Sequence, residues 1–288
     1  MTQPTSASAS ASASVSVPVS APVAMISLPA PSRLRMLVAR LVTLVAPWTF
    51  LLAVWYFVKY SGLVQSELLP SPKAVAAQFW LSMTTENLWL DMLLSTQRVF
   101  LGLLFGMLVA VPVGFVVGWY KPIRRFADPL INFFRALPPI ALIPLIIVYL
   151  GIGEVARVSI LFYASFFAAV IVMYEGMGQI SPIYVRVART LGASDLEIFW
   201  KVMLPMTVPH MLTALRVALG VCWATLVASE LVAAQSGLGA KIQNAASFFN
   251  LDAIYMGIIC IGVIALGMDT LLRALSKRLL VWQDRVGD

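Results

Sequence analysis

The sequence predicts an all-α integral membrane protein with six transmembrane helices and with both termini in the cytoplasm. Three observations lead to this fold class. First, 60% of the 288 residues are apolar and only 11% are charged, and the mean hydropathy is +0.90, so lipid is the solvent of much of the chain. Second, the sequence contains six long apolar stretches. Third, most Lys and Arg residues lie in alternate connecting segments.

The first 31 residues form a separate segment of low complexity. Residues 1–31 are mostly Ala, Ser, Val and Pro, and residues 6–14 alternate Ser with Ala. No Lys or Arg precedes Arg33, so the charged beginning of a secretory signal peptide is absent. We therefore expect a disordered cytoplasmic tail over residues 1–31 and a transmembrane domain over residues 32–288.

The apolar stretches predict six spans with the approximate bounds 41–60, 99–120, 136–153, 157–174, 213–234 and 253–272. A helix needs roughly 17–25 residues to cross the hydrocarbon core, so the shortest stretches qualify only with their flanking residues. Glycines recur at four-residue spacing in the second span, at Gly102, Gly106, Gly114 and Gly118. Small residues at this spacing let another helix approach closely, so we expect this span to pack tightly against a neighbour.

The distribution of basic residues sets the orientation of the spans. Fifteen of the 20 Lys and Arg residues fall in segments that this topology places inside the cell. The five assigned to the outside are Lys59, Lys73, Arg98, Arg157 and Lys241. The net charge of +7 is thus explained by the positive-inside bias and not by nucleic-acid binding. The long loop over residues 175–210 is cytoplasmic in this orientation.

The outer segment between the first two spans contains Leu69-Pro70-Ser71-Pro72, which breaks regular structure. The residues that follow are amphipathic around Val75, Phe79 and Leu81. This pattern predicts a short helix at the outer surface, and a plain connecting loop is the alternative.

The composition excludes several kinds of chemistry. His210 is the only histidine, and Cys222 and Cys260 both lie in apolar stretches, which argues against a metal site, a catalytic triad or a disulfide framework. No Gly-x-x-x-x-Gly-Lys-Ser/Thr phosphate loop occurs. We therefore expect no catalytic residue, metal or cofactor in this chain, and any ATP that drives it binds a different polypeptide.

The cytoplasmic loop carries the most distinctive motif, Ala188-Arg-Thr-Leu-Gly192-Ala193-Ser194, followed by Leu204-Pro205. A glycine between two short helices can adopt a positive φ and lets the backbone of a partner approach.

A helix over Asp195–Met203 is expected after this turn. Ser194 or Asp195 can cap its beginning, and Pro205 and Pro209 are expected to end it. Leu191, together with Ile198 and Phe199, is expected to form its apolar face.

This motif, with its spacing and cytoplasmic position, resembles the EAA loop of binding-protein-dependent ABC importers. The family's opening Glu-Ala-Ala reads Arg186-Val187-Ala188 here, a departure that the taurine, alkanesulfonate and nitrate branch often shares. The resemblance implies that the loop docks into a separate ATPase subunit through the residues Arg186, Ala188, Leu191, Gly192, Ala193, Ser194, Leu204 and Pro205. An ordinary helical hairpin between two spans is the alternative.

Other segments resemble the taurine and sulfonate permeases of this family. They are Ala214–Leu231, Gly237-Leu-Gly239, Arg135-x-x-Pro138-Pro139 and the C-terminal Trp282-Gln-Asp. The resemblance implies a type I importer-like permease of the cell inner membrane that carries taurine or another small sulfonated anion. Its implied partners are ABC ATPase subunits, a periplasmic or lipid-anchored substrate-binding protein and a second copy of the permease. Nitrate or another small solute remains the alternative cargo.

Glu230, Arg216 and Trp223 are the candidate pathway or structural residues inside the membrane. A charge at mid-bilayer costs roughly 2.5–3.5 kcal/mol on insertion scales, so Glu230 is expected to face the bundle interior or the outer interface. A carboxylate is a poor ligand for an anion, which favours a structural pairing of Glu230 over contact with the substrate. Arg216 is expected to reach lipid phosphates, and Asp269 to pair with Arg273 at i+4.

Two other classes of protein fit the sequence less well. A self-contained secondary transporter or channel would show paired charges near mid-bilayer or inverted repeats with broken helices, and the spans hold few charges and no convincing repeat. A membrane-embedded enzyme would need His, Asp or Glu clustered near one bilayer face. The sequence therefore favours a pathway-forming transport subunit that is not itself an enzyme.

Overall fold

The structure, a computed structural model, describes residues 33–62, 65, 68–231 and 235–280. The predicted tail over residues 1–31 lies outside this part of the chain, as does the C-terminal Trp282-Gln-Asp. Every ordered element within the described residues is helical, which confirms the all-α class. The helices in order are α1 Arg33–Tyr60, α2 Pro72–Thr85, α3 Leu88–Trp119, α4 Lys121–Ala136, α5 Pro139–Leu150, α6 Glu154–Gln179, α7 Pro182–Thr190, α8 Asp195–Ile198, a π-helical turn Phe199–Met203, α9 Leu204–Leu231, α10 Leu238–Ser247 and α11 Leu251–Leu279.

The chain separates into two units at Leu51. The described part of the first unit is the beginning of α1, which extends through the first predicted span. The second unit, Leu52–Asp288, contains all the other helices, and the contacts described below belong to it.

Four segments among the described residues are long and apolar enough to cross a bilayer. They are α3, α6, the continuous segment Asp195–Glu230 and α11. Helices α4 and α5 meet the same criterion only as a pair, and the pair is bent by 91°. The break between them falls at Leu137 and Pro138, because proline cannot donate a backbone hydrogen bond and restricts the residue before it.

Two predicted spans differ from the helices that form. Helix α3 begins at Leu88, so Arg98 lies inside a helix and not in the outer segment. The third predicted span, 136–153, contains only the 12-residue α5, which at 1.5 Å per residue is about 18 Å long and too short to cross alone. Both differences have one cause, because a search for uncharged stretches ends a predicted span at the first charged residue. Arg98 is charged, and the amphipathic α4 contains several charged residues.

Helices α3 and α6 pack so closely that two glycines of α3 have no room for a side chain. A Cβ atom at Gly102 would lie 2.3 Å from the Cβ of Leu161, and a Cβ at Gly106 would lie 1.9 Å from the Oγ of Ser165. The Ser165 hydroxyl donates to the carbonyl of Gly102 at 2.9 Å. The contacts advance along both helices together, so α3 and α6 are parallel. The predicted close approach at the glycines is confirmed, and the neighbour is a helix of the same chain.

The apolar interior has two parts. The larger part lies between α3, α6 and α9, and includes Leu161, Met173 and Leu226. The smaller part joins α2, α10 and α11 through Val75, Leu238 and Met256.

Helix α2 follows the predicted breaker, as expected. The Ser71 hydroxyl caps it by accepting the Ala74 N–H at 3.1 Å. The Trp55 indole donates to the carbonyl of Pro70 at 3.0 Å, which ties the preceding turn to the end of α1.

Replacing Gly106 by alanine tests the α3–α6 contact. The added methyl group would collide with Ser165, and forcing extra volume into a packed site typically costs about 1–3 kcal/mol. Gly106→Ala should therefore lower the thermal unfolding temperature of the detergent-solubilised protein by several degrees. Gly262→Ala is the matched control, because a Cβ at this helical glycine of α11 meets no atom within 4 Å. Equal unfolding temperatures of the two variants would contradict the packing described here.

Candidate functional site

The predicted docking turn joins α7 to α8 and points into solvent. Gly192 has a φ of +82°, so the expected left-handed conformation is confirmed. Its N–H donates to the carbonyl of Arg189 at 3.0 Å, and the Ala193 N–H donates to the carbonyl of Ala188 at 3.1 Å. This pair of bonds is the Schellman motif, which ends a helix at a residue of positive φ. Leu191 is 81% exposed, and no atom lies within 4 Å of a Cβ built at Gly192.

Ser194 caps the helix that follows, as predicted. Its hydroxyl accepts the Glu197 N–H at 3.3 Å, and the Glu197 carboxylate accepts the Ser194 N–H at 3.1 Å. This reciprocal arrangement is a capping box. An ion pair between Arg189 and Asp195, 3.0 Å long, bridges the turn. The backbone of the turn is thus held in one shape while its tip stays uncovered by the chain.

The prediction that Pro205 and Pro209 end the second helix is wrong. Helix α8 passes through the π-helical turn into α9, which contains Pro209 in its interior. The Leu204 N–H donates to the carbonyl of Phe199, five residues earlier. We attribute this wide turn to Pro205, which lacks an N–H and would crowd the carbonyl four residues before it. As a result, the turn is continuous with a spanning segment of 36 residues, Asp195–Glu230.

Leu191 does not belong to the apolar face on which the sequence placed it. Ile198 is fully buried and Phe199 packs against the core, where its ring lies 5.4 Å from that of Phe115. Leu191 points away from them into solvent. Of the other predicted loop residues, Arg186 is exposed on α7, whereas Leu204 packs against the core at the start of α9.

Exposed apolar side chains surround the Gly192 turn, and α7 has no buried residue. They are Ile183, Tyr184, Val187, Leu191, Leu196 and Trp200, each at least 51% exposed. An exposed apolar patch of this kind is typical of a surface that binds another protein. The sequence analysis missed most of it. The four-residue spacing of Ile183, Val187 and Leu191 on one helix face was the available signal.

A charge cluster lies between α3, α6 and α9, and of its three charged side chains only Glu154 is exposed. Arg98 is only 2% exposed and Glu230 is fully buried. The Arg98 guanidinium donates from Nη1 to Glu230 Oε1 at 2.6 Å. It also donates from Nε and Nη2 to the two carboxylate oxygens of Glu154, both at 2.7 Å. One cation is thus shared by carboxylates from two other helices.

The same cluster holds the beginning of α10. The Ser95 hydroxyl donates to Glu230 at 2.8 Å and accepts the Leu238 N–H at 2.9 Å. The second oxygen of Glu230 accepts the Gly239 N–H at 2.7 Å, and Asp91 accepts the Gly237 N–H at 2.8 Å. The first N–H groups of α10, which have no partner within the helix, therefore find acceptors on α3 and α9. The sequence analysis required a partner for Glu230 but did not find Arg98.

Arg216 and Trp223 lie elsewhere in the bundle. Arg216 on α9 donates from Nε to Asp269 on α11 at 3.1 Å, a pairing that the sequence analysis did not predict. Asp269 also accepts from Arg273 Nε at 2.7 Å, which confirms that predicted pair. Trp223 is 5% exposed in the core, and its indole N–H has no hydrogen-bond partner among the described residues. The described chain brings together no group of three metal-ligating side chains.

Known proteins are similar to this chain in sequence and in fold. Residues 102–281 match the family described as "Binding-protein-dependent transport system inner membrane component". A probable ABC transporter permease protein of Brucella abortus (strain 2308) is 41% identical over 80% of this chain and 91% of its own length. The taurine transport system permease protein of Escherichia coli (strain K12) is 35% identical over 82% and 88%. A nitrate import permease protein of Synechococcus elongatus is 29% identical over 82% and 85%.

Two solved structures have the same fold. One shows inward-facing conformations of the MetNI methionine ABC transporter, with a TM-score of 0.60 and 18% identity over 68% of this chain and 97% of that chain. The other, an amino acid ABC transporter with histidines, has a TM-score of 0.54 and 20% identity over 69% and 97%. The family match over residues 102–281 and relatives 35% and 41% identical over four-fifths of the chain establish that this protein belongs to the inner membrane components of binding-protein-dependent transport systems, the permease subunits of ABC importers.

Proposed function

We propose that this permease carries a small sulfonated anion, taurine or a related sulfonate, into the cell at the expense of ATP hydrolysed by a separate subunit. The protein is an ABC importer permease of the group that includes taurine, sulfonate and nitrate permeases. Greater identity to the taurine permease, 35%, than to the nitrate permease, 29%, supports a sulfonate as the cargo. Nitrate is the second candidate.

The observation that carries the proposal of ATP-driven import is the Gly192 turn. A subunit that is moved by another protein's ATP hydrolysis needs a rigid contact that projects beyond its own core. Here the turn is fixed by its cap and its Schellman bonds, exposes Leu191 and is ringed by apolar side chains. Its second half continues without interruption into the segment that ends at Glu230. We infer that a displacement imposed at the turn by an ATPase moves this whole segment.

We also propose six spans with cytoplasmic termini, in which α1 is the first and the bent pair α4–α5 is the third. The parallel packing of α3 and α6 supports this, because two parallel spans require one return crossing between them. With α1 running outward, the Gly192 turn and both termini lie in the cytoplasm, where the ATPase is. The remaining partners in the proposal are a second copy of the permease and an external substrate-binding protein.

Gly192→Val tests the docking role. A β-branched residue resists the positive φ of this position, and its volume fills the open space that an ATPase would occupy. The variant should insert normally but lose, by tenfold or more, either ATPase co-purification or ATP hydrolysis stimulated by the loaded binding protein. Gly62→Val is the matched control, since Gly62 has a φ of +74° and equally open surroundings outside the turn. Unchanged ATPase binding and transport in Gly192→Val would refute the assignment.

Deletion of the gene tests the cargo. The deletion strain should lose growth on taurine or another sulfonate as the only sulfur source, and the wild-type gene, but not the Gly192→Val gene, should restore it. Uptake of radiolabelled taurine gives the same comparison directly. Normal growth on every sulfonate, together with lost growth on nitrate as nitrogen source, would assign the protein to nitrate import instead.

A further inference from the structure

Helix α4 lies alongside the spanning helix α6 and runs antiparallel to it. The Arg124 guanidinium lies 5.1 Å from the ring centre of Tyr174, and the Tyr174 hydroxyl donates to Asp128 at 2.7 Å. Further along α4, the carbonyl of Phe134 accepts the hydroxyl of Tyr163. Residues later in α4 thus contact residues earlier in α6, so the two helices are antiparallel. Since α6 is apolar enough to span a bilayer, much of α4 lies at membrane depth.

One face of α4 is polar along its whole length. At 100° per residue, Lys121, Arg125, Asp128, Asn132 and Arg135 fall within an arc of about 80°, and all but the half-buried Asp128 are exposed. From the first to the last they extend over about 21 Å of helix. The opposite face is apolar and also exposed, with Phe126 and Leu130 at its centre.

Three of the five residues on this face are cations. Within the described part of the chain, none of Lys121, Arg125 and Arg135 forms an ion pair. Two carboxylates lie nearby. Asp128 accepts the Tyr174 hydroxyl, and Glu175 lines a cavity of about 420 Å³ together with Arg135.

Two open cavities follow this face. Arg135 lines the cavity just described, whose wall also contains Tyr163 and Phe167. Lys121, Arg124, Arg125 and Asp128 line a second cavity of about 410 Å³, where three cations face one carboxylate. The polar face therefore borders open space near both of its ends.

Charged side chains at membrane depth face a bundle interior or a water-filled cavity, because exposure to lipid is too unfavourable. A cleft in which one sign of charge predominates attracts ions of the opposite sign, and the cavity at Lys121 has three cations against the single carboxylate of Asp128. We propose that the polar face of α4, from Arg135 through Asn132 and Arg125 to Lys121, lines the aqueous route of the transported molecule and selects for an anionic group. The proposal rests on the transport function given above and names the chemistry of its cargo.

Labelling of a single introduced cysteine tests the proposal without requiring transport. Asn132→Cys, in membranes containing the full chain, is treated with an anionic sulfonatoethyl and a cationic trimethylammonioethyl methanethiosulfonate. After correction for their rates with a free thiol, the anionic reagent should react about tenfold faster. The native Cys222 and Cys260 are buried, and the unsubstituted chain measures their background. Leu130→Cys, on the apolar face, should react with neither reagent.

Removing the cations should remove the preference. Arg125→Gln or Arg135→Gln, combined with Asn132→Cys, should reduce the anion preference severalfold. Arg186→Gln, which removes an exposed cation on α7, should leave it unchanged.

Three results would overturn the proposal. An unreactive Asn132→Cys means that lipid or a second copy of the chain covers the face. Equal rates with both reagents mean that water reaches the face without selection for anions. A preference unchanged by Arg125→Gln and Arg135→Gln means that other charges cause it. Normal growth of the deletion strain on sulfonates would instead contradict the proposed cargo. That result would not change the labelling rates expected here.

Discussion

The burial of Arg98 is the constraint on which the arrangement of the bundle depends. A guanidinium taken out of water costs several kcal/mol unless carboxylates and other acceptors surround it. Arg98 lies one helical turn before Gly102, where α3 packs closely against α6, so its depth in the bundle is set by that contact. Glu154 at the start of α6 and Glu230 at the end of α9 then have to meet it at this level. We infer that the cluster is a structural tie between three helices and the start of α10, and not a substrate site.

The cluster and the Gly192 turn are the two ends of one mechanical element. Between them the chain is helical from Asp195 to Glu230, and a π-helical turn accommodates Pro205 without a break. One end is an exposed tip. The other end, at Glu230, is held to the buried Arg98 of α3, which also pairs with the exposed Glu154 of α6. In the proposed mechanism, a displacement of the turn is transmitted along a continuous helical segment whose far end is fixed at Glu230. A flexible linker between two hairpin helices would not transmit it.

The features that depend on local chemistry were predictable from the sequence. The positive φ of Gly192, the Ser194 cap and the pairing of Asp269 with Arg273 each follow from neighbours within a few residues. The features that depend on distant partners were not predictable in this way. The sequence analysis placed Arg98 in the outer segment. Its burial inside the bundle is stabilised by Glu154 and Glu230, which lie far along the chain. The sequence analysis left α4 outside the predicted spans because a search for uncharged stretches excludes its cations. Its amphipathic spacing, with one apolar face, was nevertheless present in the sequence.

A double-mutant cycle on Arg98 and Glu230 tests the central claim most directly. Removing one partner of a buried ion pair typically costs about 3–5 kcal/mol, because the other charge stays buried without its partner. Unfolding of the detergent-solubilised protein should show Glu230→Leu and Arg98→Leu strongly destabilised. The double variant should be destabilised by less than the sum of the two, and Glu175→Leu, which removes an exposed carboxylate, should change little. Wild-type stability of Glu230→Leu, with substrate uptake lost, would contradict the account and place Glu230 in the transport pathway.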